Sequence, residues 1–320
     1  MAEQKTALIS GASGQDGQYL TNHLLQLGYS VVGLTRNIHN FSDKIQNANL
    51  SYIETDYSQE HILNILQKHK PLEFYNLAGQ TYVGKSWIIQ DETWKASAML
   101  PTNILNAINQ MSGNKPRFFQ ASSSEIYAQS NLALTESSPI GPVNPYGCAK
   151  AYAHFMVSAF RQNYNLYCVN GVLFNHESPL RHDDFLSKKV VSIAFDIKEK
   201  IINKIHLGNL DIRRDWGFSG DYIKAMHLSL QADNPTDYNI CSGKDYSVRE
   251  LVDYVFSKLG LSYQDHLKIN QSLVRNNERP LVLGSSEKAK RELNWEPEKS
   301  FEEMLDILIK HEKEKRKGSN

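Results

Sequence analysis

The sequence predicts an α/β fold, a doubly wound parallel sheet followed by a smaller mixed lobe. Three observations carry this. Up to Phe174, short apolar runs alternate with helical patterns at intervals of about 20–30 residues, the rhythm of strand–helix–strand units. The first run, Ala7-Leu8-Ile9-Ser10, leads directly into Gly11-Ala12-Ser13-Gly14-Gln15-Asp16-Gly17 and then into a helical pattern. After Phe174 the rhythm breaks at the turn-rich Asn175-His176-Glu177-Ser178-Pro179. Together these place a Rossmann-type domain at residues 1–174, with a returning segment at about 210–243, and a substrate lobe at 175–209 and 244–320.

Each element has a local reason. Ala7 to Ser10 is short and continuously apolar, as a strand covered on both faces must be. Tyr19, Leu20, Leu24, Leu25 and Leu27 fall at helical spacing, and Gly28 ends that helix. Between strand and helix, Gly11 permits a tight turn, Gly14 lets the backbone approach a pyrophosphate at the helix N-terminus, and Gly17 allows close helix–strand packing. The spacing is Gly-x-x-Gly-x-x-Gly, not the commonest dinucleotide fingerprint, and as a bare pattern it is weak. Its place between a strand and a helix favours dinucleotide binding over a ligand-free turn.

Ser30-Val31-Val32-Gly33-Leu34 reads as the second strand, followed by Thr35-Arg36-Asn37. A NAD-binding fold expects an acidic residue near here, to accept from the ribose 2′-hydroxyl. Arg36 suits a 2′-phosphate instead and points to NADP; a plain surface arginine is the alternative. Tyr52-Ile53-Glu54-Thr55-Asp56 is a third strand, Ile62, Ile65 and Leu66 mark a crossover helix, and Phe74-Tyr75-Asn76-Leu77-Ala78-Gly79-Gln80 is a fourth strand running into a turn. A helix is predicted from Glu92 to Gln110, a fifth strand at Arg117 to Ala121, then the polar Ser122-Ser123-Ser124-Glu125, and a sixth strand from Leu166 to Phe174. Beyond it, helices are predicted at Phe185 to Lys198, Asp221 to Ala232, Val248 to Leu259 and Phe301 to Lys315. Tyr238-Asn239-Ile240-Cys241 reads as a strand returning to the main sheet, and the charged tail from His311 as a solvated helix end with a disordered terminus.

Composition narrows the function. The 320 residues are 41% hydrophobic and 22% charged, ordinary for a globular protein with a sizeable core. Lys+Arg and Asp+Glu are both 35, so no basic excess points to nucleic acid or an anionic membrane. The cysteines are Cys148, Cys168 and Cys241; no Cys-x-x-Cys pair occurs and the count is odd, so a reducing cytoplasm is expected. No signal peptide and no membrane-spanning run is visible. No Cys/His/Asp cluster has metal-ligand spacing, so no metal is expected.

Tyr146 and Lys150 are four apart, which on a helix puts both side chains on one face. A phenol with an ordinary pKa of about 10 must lose about three units to act as a base near neutral pH, roughly 4 kcal/mol of differential stabilisation. A neighbouring ammonium favours the phenolate. Alone, the pattern is weak and is better read as an ordinary amphipathic helix bearing a half-buried Tyr and a solvated Lys.

Six stretches in combination change that balance. Gly11 to Gly17, Tyr75 to Gln80, Gln120 to Glu125, Pro145 to Lys150, Leu173 to Pro179, and Leu207-Gly208-Asn209-Leu210-Asp211 running on to Arg214-Asp215-Trp216-Gly217 all resemble the GDP-mannose 4,6-dehydratase family of the extended short-chain dehydrogenases/reductases. The resemblance covers about Ala7 to Pro297. It implies a NADP-dependent lyase that oxidises C4 of a nucleotide sugar, eliminates water across C5–C6 and returns the hydride to C6. It implies Tyr146 as base with Lys150 as its electrostatic partner, Ser123 bonded to the C4 oxygen in place of the usual threonine, and Glu125 as the base at C5. Gly11, Ser13, Gly14, Gln15, Asp16, Arg36, Asp56, Tyr57, Leu77, Ala78, Gln80, Tyr146, Lys150, His176 and Arg181 fall on the family's cofactor positions. Asn175, Lys188, Arg214, Arg275 and Glu278 fall on its nucleotide-sugar positions. The implied partner is a GDP-sugar. A 4,6-dehydratase of another nucleotide sugar, a 4-keto-sugar reductase or epimerase on the same scaffold, or a silent NADP-binding protein remain as alternatives.

The chain also departs from the family pattern. Asn37 replaces a second arginine, Leu180 interrupts Pro-Arg-Arg and is followed by Asp183-Asp184, and Thr81-Tyr82-Val83-Gly84-Lys85 replaces a Ser-His-Val segment. Glu92 stands where the family often has tyrosine near the cofactor. The chain is short around residues 37–50 and 260–275, the first being a loop that the family uses in tetramer contacts, so a homodimer is expected before a tetramer. Trp216 and Trp295 are expected to pack.

Overall fold

A computed structural model describes residues 5–41, 47–274 and 278–318. The N-terminal part runs β1 (Thr6–Ser10), α1 (Gln15–Gln26), β2 (Ser30–Thr35), β3 (Leu50–Glu54), α2 (Gln59–His69), β4 (Glu73–Asn76), α3 (Gln90–Trp94), α4 (Leu100–Gln110), β5 (Arg117–Ser123), α5 (Pro145–Tyr164) and β6 (Cys168–Leu173). A π-helical turn, Lys95–Met99, joins α3 to α4 into one rod. The remainder runs β7 (Asn175–Glu177), α6 (Leu186–Lys198), β8 (Ile205–Leu207), β9 (Arg213–Phe218), α7 (Ser219–Ser229), β10 (Tyr238–Ile240), β11 (Asp245–Ser247), α8 (Val248–Lys258), β12 (Leu267–Ile269), β13 (Leu281–Val282), α9 (Glu287–Leu293) and α10 (Phe301–Lys317).

Seven strands form one sheet in the order β10-β6-β5-β4-β1-β2-β3, and every pair is parallel. The order reverses between β1 and β4, which opens a crevice at the strands' carboxyl ends. Alternating side chains feed two cores. Tyr75 and Phe119 point to the face covered by α1 and α7, while their neighbours Phe74 and Phe118 point to the face covered by α2, α4 and α5. Both pairs touch across the β4–β5 ladder, with ring centroids 6.1 Å and 5.9 Å apart. This two-sided burial is why the strands read as continuous apolar runs.

The expected return to the main sheet is made by β10 at Tyr238–Ile240. Its surroundings divide differently from the 210–243 boundary. β9 belongs to a small sheet with β7, β11 and β13, whereas α7 packs on α1 through Tyr222, Ala225 and Met226. Residues 287–295 return as well, with Ala289, Leu293 and Trp295 in that same core. The helix expected from Glu92 begins at Gln90, and the third strand ends at Glu54, two residues before Asp56. β7, β8, β9, β11, β12, β13 and α9 lie outside the sequence expectations because segments of two to seven residues are too short to show a period, and the six-residue β9 carries charges that mask one. The lobe's helices α8 and α10 each start with a capping box, Ser247–Glu250 and Ser300–Glu303.

Candidate active site

The glycine turn forms as its spacing requires. Gly11 has φ +71°, and a Cβ there would stand 2.7 Å from the Ala78 amide nitrogen. A Cβ on Gly17 would stand 2.3 Å from the Gly11 carbonyl oxygen, so this glycine lets α1 press on the turn itself. Gly14 N-caps α1 without a side chain, which leaves the first-turn amides at the mouth of the crevice. Ser13 is exposed there, and its carbonyl accepts from Gln18. The Leu77 and Ala78 amides bond to Ser10, and Gln80 donates to the Tyr82 carbonyl while its Oε1 is buried without a partner.

Arg36 is exposed directly after β2. Tyr57, at φ 60°, donates its hydroxyl to the Leu34 carbonyl at 2.9 Å and carries the strand end and the glycine turn on one ring. Burial pushes its phenol up to about 12, against the Gly11 backbone bond and the charge of Arg36. Asp56 is exposed just beyond β3. Its carboxylate accepts from the Ser58 amide at the start of α2 and lies 3.4 Å from His61.

Gln15, Asp16 and His176 bind one another across the junction of the two lobes. His176 Nε2 lies 2.8 Å from Asp16 Oδ2 and its Nδ1 lies 2.7 Å from the Phe174 carbonyl. With oxygen acceptors beside both nitrogens, the surroundings of the ring favour its doubly protonated form. Burial alone would lift the Asp16 carboxyl, but the charge and hydrogen bond of His176, with the Ser219 hydroxyl at 2.7 Å, hold it far below the usual carboxylate range. His176 is shifted up by the same pair against its own burial. Gln15 spans to the His176 carbonyl at 3.1 Å and accepts from Ser178 at 2.8 Å.

β5 ends on Ser123, and the turn Ser124–Ile126 then points Glu125 toward the start of α5. Asn144 caps α5 and Pro145 occupies its first turn, which sets Tyr146 at the helix mouth. Tyr146 is buried and hydrogen-bonded to Ser123. Burial pushes its phenol up to about 12; Ser123 and Arg181 oppose that rise, and Glu125 and Asp16 add to it. Lys150 is also buried. It donates to the Ala121 carbonyl at 2.8 Å and lies 5.8 Å from the centroid of the Tyr146 ring. Burial lowers its ammonium to about 8, against the charge of Asp16. The helical spacing thus delivers both side chains to one place, but burial overrides the depressed phenol that spacing alone suggests.

On the lobe side, Asn175 opens β7, which pairs with β9 beside Trp216. Arg214 on β9 donates to the Arg279 carbonyl at 2.8 Å. Lys188 is buried, donates to the Pro179 carbonyl at 3.0 Å and lies 3.6 Å from Asp183. Arg181 stacks on Phe185 and lies 3.5 Å from Glu177. Glu278 is half-buried and precedes the buried Arg279; Arg275 lies outside the described residues. Trp216 and Trp295 pack, the first on Phe301 and the second with its indole bonded to the Asp221 carbonyl.

A family model described as GDP-mannose 4,6 dehydratase matches residues 8–308. The chain belongs to the GDP-mannose 4,6-dehydratase family. GDP-mannose 4,6 dehydratase 1 of Arabidopsis thaliana is 36% identical over 321 residues, covering 96% of this chain and 89% of its own. The Homo sapiens GDP-mannose 4,6 dehydratase is 33% identical over 337 residues, covering 96% and 91%. Among solved structures, a dTDP-glucose 4,6-dehydratase from Bacillus anthracis in complex with NAD aligns with a TM-score of 0.84 at 20% identity, over 98% of each chain. A Thermotoga maritima UDP-glucose 4-epimerase with UDP-glucose gives 0.84 at 20% identity, over 98% of this chain and 100% of its own. At that identity both show the fold alone.

For a member of the GDP-mannose 4,6-dehydratase family, three further residues stand out. Asn144 Nδ2 donates to Glu125 Oε2 at 2.9 Å, and Arg279 Nη2 lies 2.8 Å from Glu125 Oε1. Ser97, inside the π turn, is buried with an unpartnered hydroxyl near Gly79. The N-cap position of Asn144 before Pro145 was a readable signal. Arg279 directly follows Glu278, which the resemblance assigns to the nucleotide sugar, but no local pattern marks Arg279 itself or links Ser97 to the site. Among the described residues, no three His, Cys, Asp or Glu side chains could hold a metal ion, and no helix is long and apolar enough to cross a membrane.

Proposed function

We propose that the chain dehydrates GDP-mannose to the 4-keto-6-deoxy sugar, with NADP as the nicotinamide cofactor. The observation that carries this is the grouping of Ser123, Glu125 and Tyr146 at the carboxyl ends of β5 and the start of α5, beside the glycine turn. The family's activity and the nicotinamide cofactors named for neighbouring structures, NAD and NADPH, support it. The residues present fit such a cofactor. The crevice wall at Gly11 has no room for a Cβ, the first amides of α1 face it, and Gln80 Oε1 is an orphaned acceptor there.

A bound nicotinamide supplies a reversible store for one hydride. Every proton transfer falls to the chain. Ser123 holds the C4 oxygen and Tyr146 takes the C4 hydroxyl proton as C4 becomes a ketone. The ketone acidifies the C5 hydrogen, Glu125 removes it, and the same carboxyl returns a proton to the departing C6 hydroxyl as water. C6 would then receive the stored hydride and C5 a proton, equivalent to the one that Tyr146 took from the C4 hydroxyl, so that water is the only net loss. Lys150 adds a buried positive charge behind the Tyr146 ring, which opposes the rise in the phenol's proton affinity. Arg36 takes the 2′-phosphate, and Asn175, Lys188 and Arg214 line the nucleotide-sugar side.

Two further readings complete the proposal. Trp87, Ile88, Trp94 and Phe155 are exposed large apolar side chains on and beside α3 and α5, and a second copy of the chain covering this face would make a homodimer. The free thiols fit a cytoplasmic protein. Incubation with GDP-mannose and no added reductant tests the activity. The ketosugar is the expected product, and absence of turnover with any GDP-, CDP-, dTDP- or UDP-sugar overturns the reading.

A further inference from the structure

The residue that completes Glu125 comes from the far end of the chain. Arg279 is 4% exposed and stands just before β13, more than 150 residues after the turn it touches. Its Nη1 donates to the Ser124 carbonyl at 3.3 Å and to the Tyr127 carbonyl at 3.2 Å, so it grips the turn on both sides of Glu125. Its Nη2 lies at ion-pair distance, 2.8 Å, from Glu125 Oε1 but is not aligned as a hydrogen bond to it. Asn144 meanwhile donates to the other oxygen at 2.9 Å. The carboxylate is thus held at both oxygens, by residues from two separate parts of the chain.

We propose that Arg279 is a positioning residue for the C5 proton transfer: the guanidinium fixes the plane of the Glu125 carboxylate against the α5 mouth. This rests on the reading of Glu125 as the C5 base. A carboxylate offers about four acceptor sites. With one partner on each oxygen, the remaining sites can face the sugar, and the side chain has lost the rotation that would carry them away. A base held in place matters because misplacement by about 1 Å can cost about a hundredfold in rate. Arg279 also binds Arg214 through its carbonyl, at 2.8 Å. The segment that aims the base is therefore tied to a residue assigned to the nucleotide sugar, and the lobe and the Rossmann domain share one site.

The test is a double-mutant cycle on the full-length chain with GDP-mannose. The variants are Glu125→Gln, Arg279→Met, Arg279→Lys and the Glu125→Gln/Arg279→Met pair. Arg279→Met is expected to lower kcat by about tenfold to a hundredfold, at or below the range of general base catalysis, with KM within about threefold. Arg279→Lys should recover part of the loss. In the Glu125→Gln background, Arg279→Met should cost almost nothing more, because residues that act through one another are not additive. A second readout separates positioning from folding. In single turnover, Arg279→Met should trap the cofactor in its reduced form, as Glu125→Gln does, since C4 oxidation no longer proceeds to elimination. Additive losses in the pair, or a slow variant with no trapped reduced cofactor, overturn the inference while leaving the dehydratase reading intact. No turnover by the unmutated chain overturns both.

Discussion

Asn144 joins the two carriers of the chemistry: its Oδ1 accepts from the Gly147 amide and caps α5, while its Nδ2 donates to Glu125 at 2.9 Å. One side chain thus sets both the helix that presents Tyr146 and the carboxylate beside it. The two duties separate by substitution. Asn144→Asp keeps a capping oxygen but sets a second negative charge against Glu125 where the amide donated. We expect it to melt within about 2 °C of the unmutated protein and to lose roughly tenfold or more in kcat. Asn144→Ala should lower both. Melting curves beside steady-state rates check this, and an Asn144→Asp protein of full activity would show that the amide contact is incidental.

Glu125→Gln keeps the shape of the side chain and removes its capacity to take a proton. A loss of at least about a hundredfold in dehydration is expected, with cofactor affinity unchanged. A reductase or epimerase on this scaffold does not need that proton transfer, so an undiminished rate would favour those chemistries.

Cofactor choice rests on Arg36, exposed at the end of β2. Charge-assisted hydrogen bonds contribute about 1.5–3 kcal/mol, which is roughly ten- to a hundredfold in affinity. With Asn37 in place of a second arginine, the preference for NADP should sit at the lower end. Calorimetric titration of NAD and NADP into the unmutated and Arg36→Ala proteins decides it. Equal affinity for both cofactors before mutation would reduce Arg36 to a surface charge.

The Asp16–His176 pair predicts an acid-side optimum of stability. The Asp16 carboxyl is shifted down from its ordinary value of 3.8, so its contribution is present above that pH and is lost as pH falls. The His176 imidazolium is shifted up from 6.5, so its contribution is present below that pH and is lost as pH rises through its folded-state value. The window in which both act runs from 3.8 to 6.5 and a little beyond. Denaturant titrations of the unmutated protein and His176→Asn should differ more at about pH 5.5 than at about pH 8.5. A gap that does not change with pH would mean that the ring is neutral at both.

The sequence by itself determined the main sheet, the glycine turn, the α5 pair and the grouping of Ser123 with Glu125. All of these are encoded locally. Two-sided burial writes strands as apolar runs, a positive φ writes Gly11, and helical periodicity puts Tyr146 and Lys150 on one face. The tertiary structure alone decided what each polar group touches. Phenol and ammonium are both buried, so Tyr146 is pushed up to about 12 where spacing suggested a lowered value. Asp16 and His176, 160 residues apart, meet only because β1 and β6 end at the same edge of the sheet. Arg279 reaches Glu125 only because β13 pairs with β9. Desolvation and long-range pairing depend on which surfaces meet, and no local pattern of residues records that.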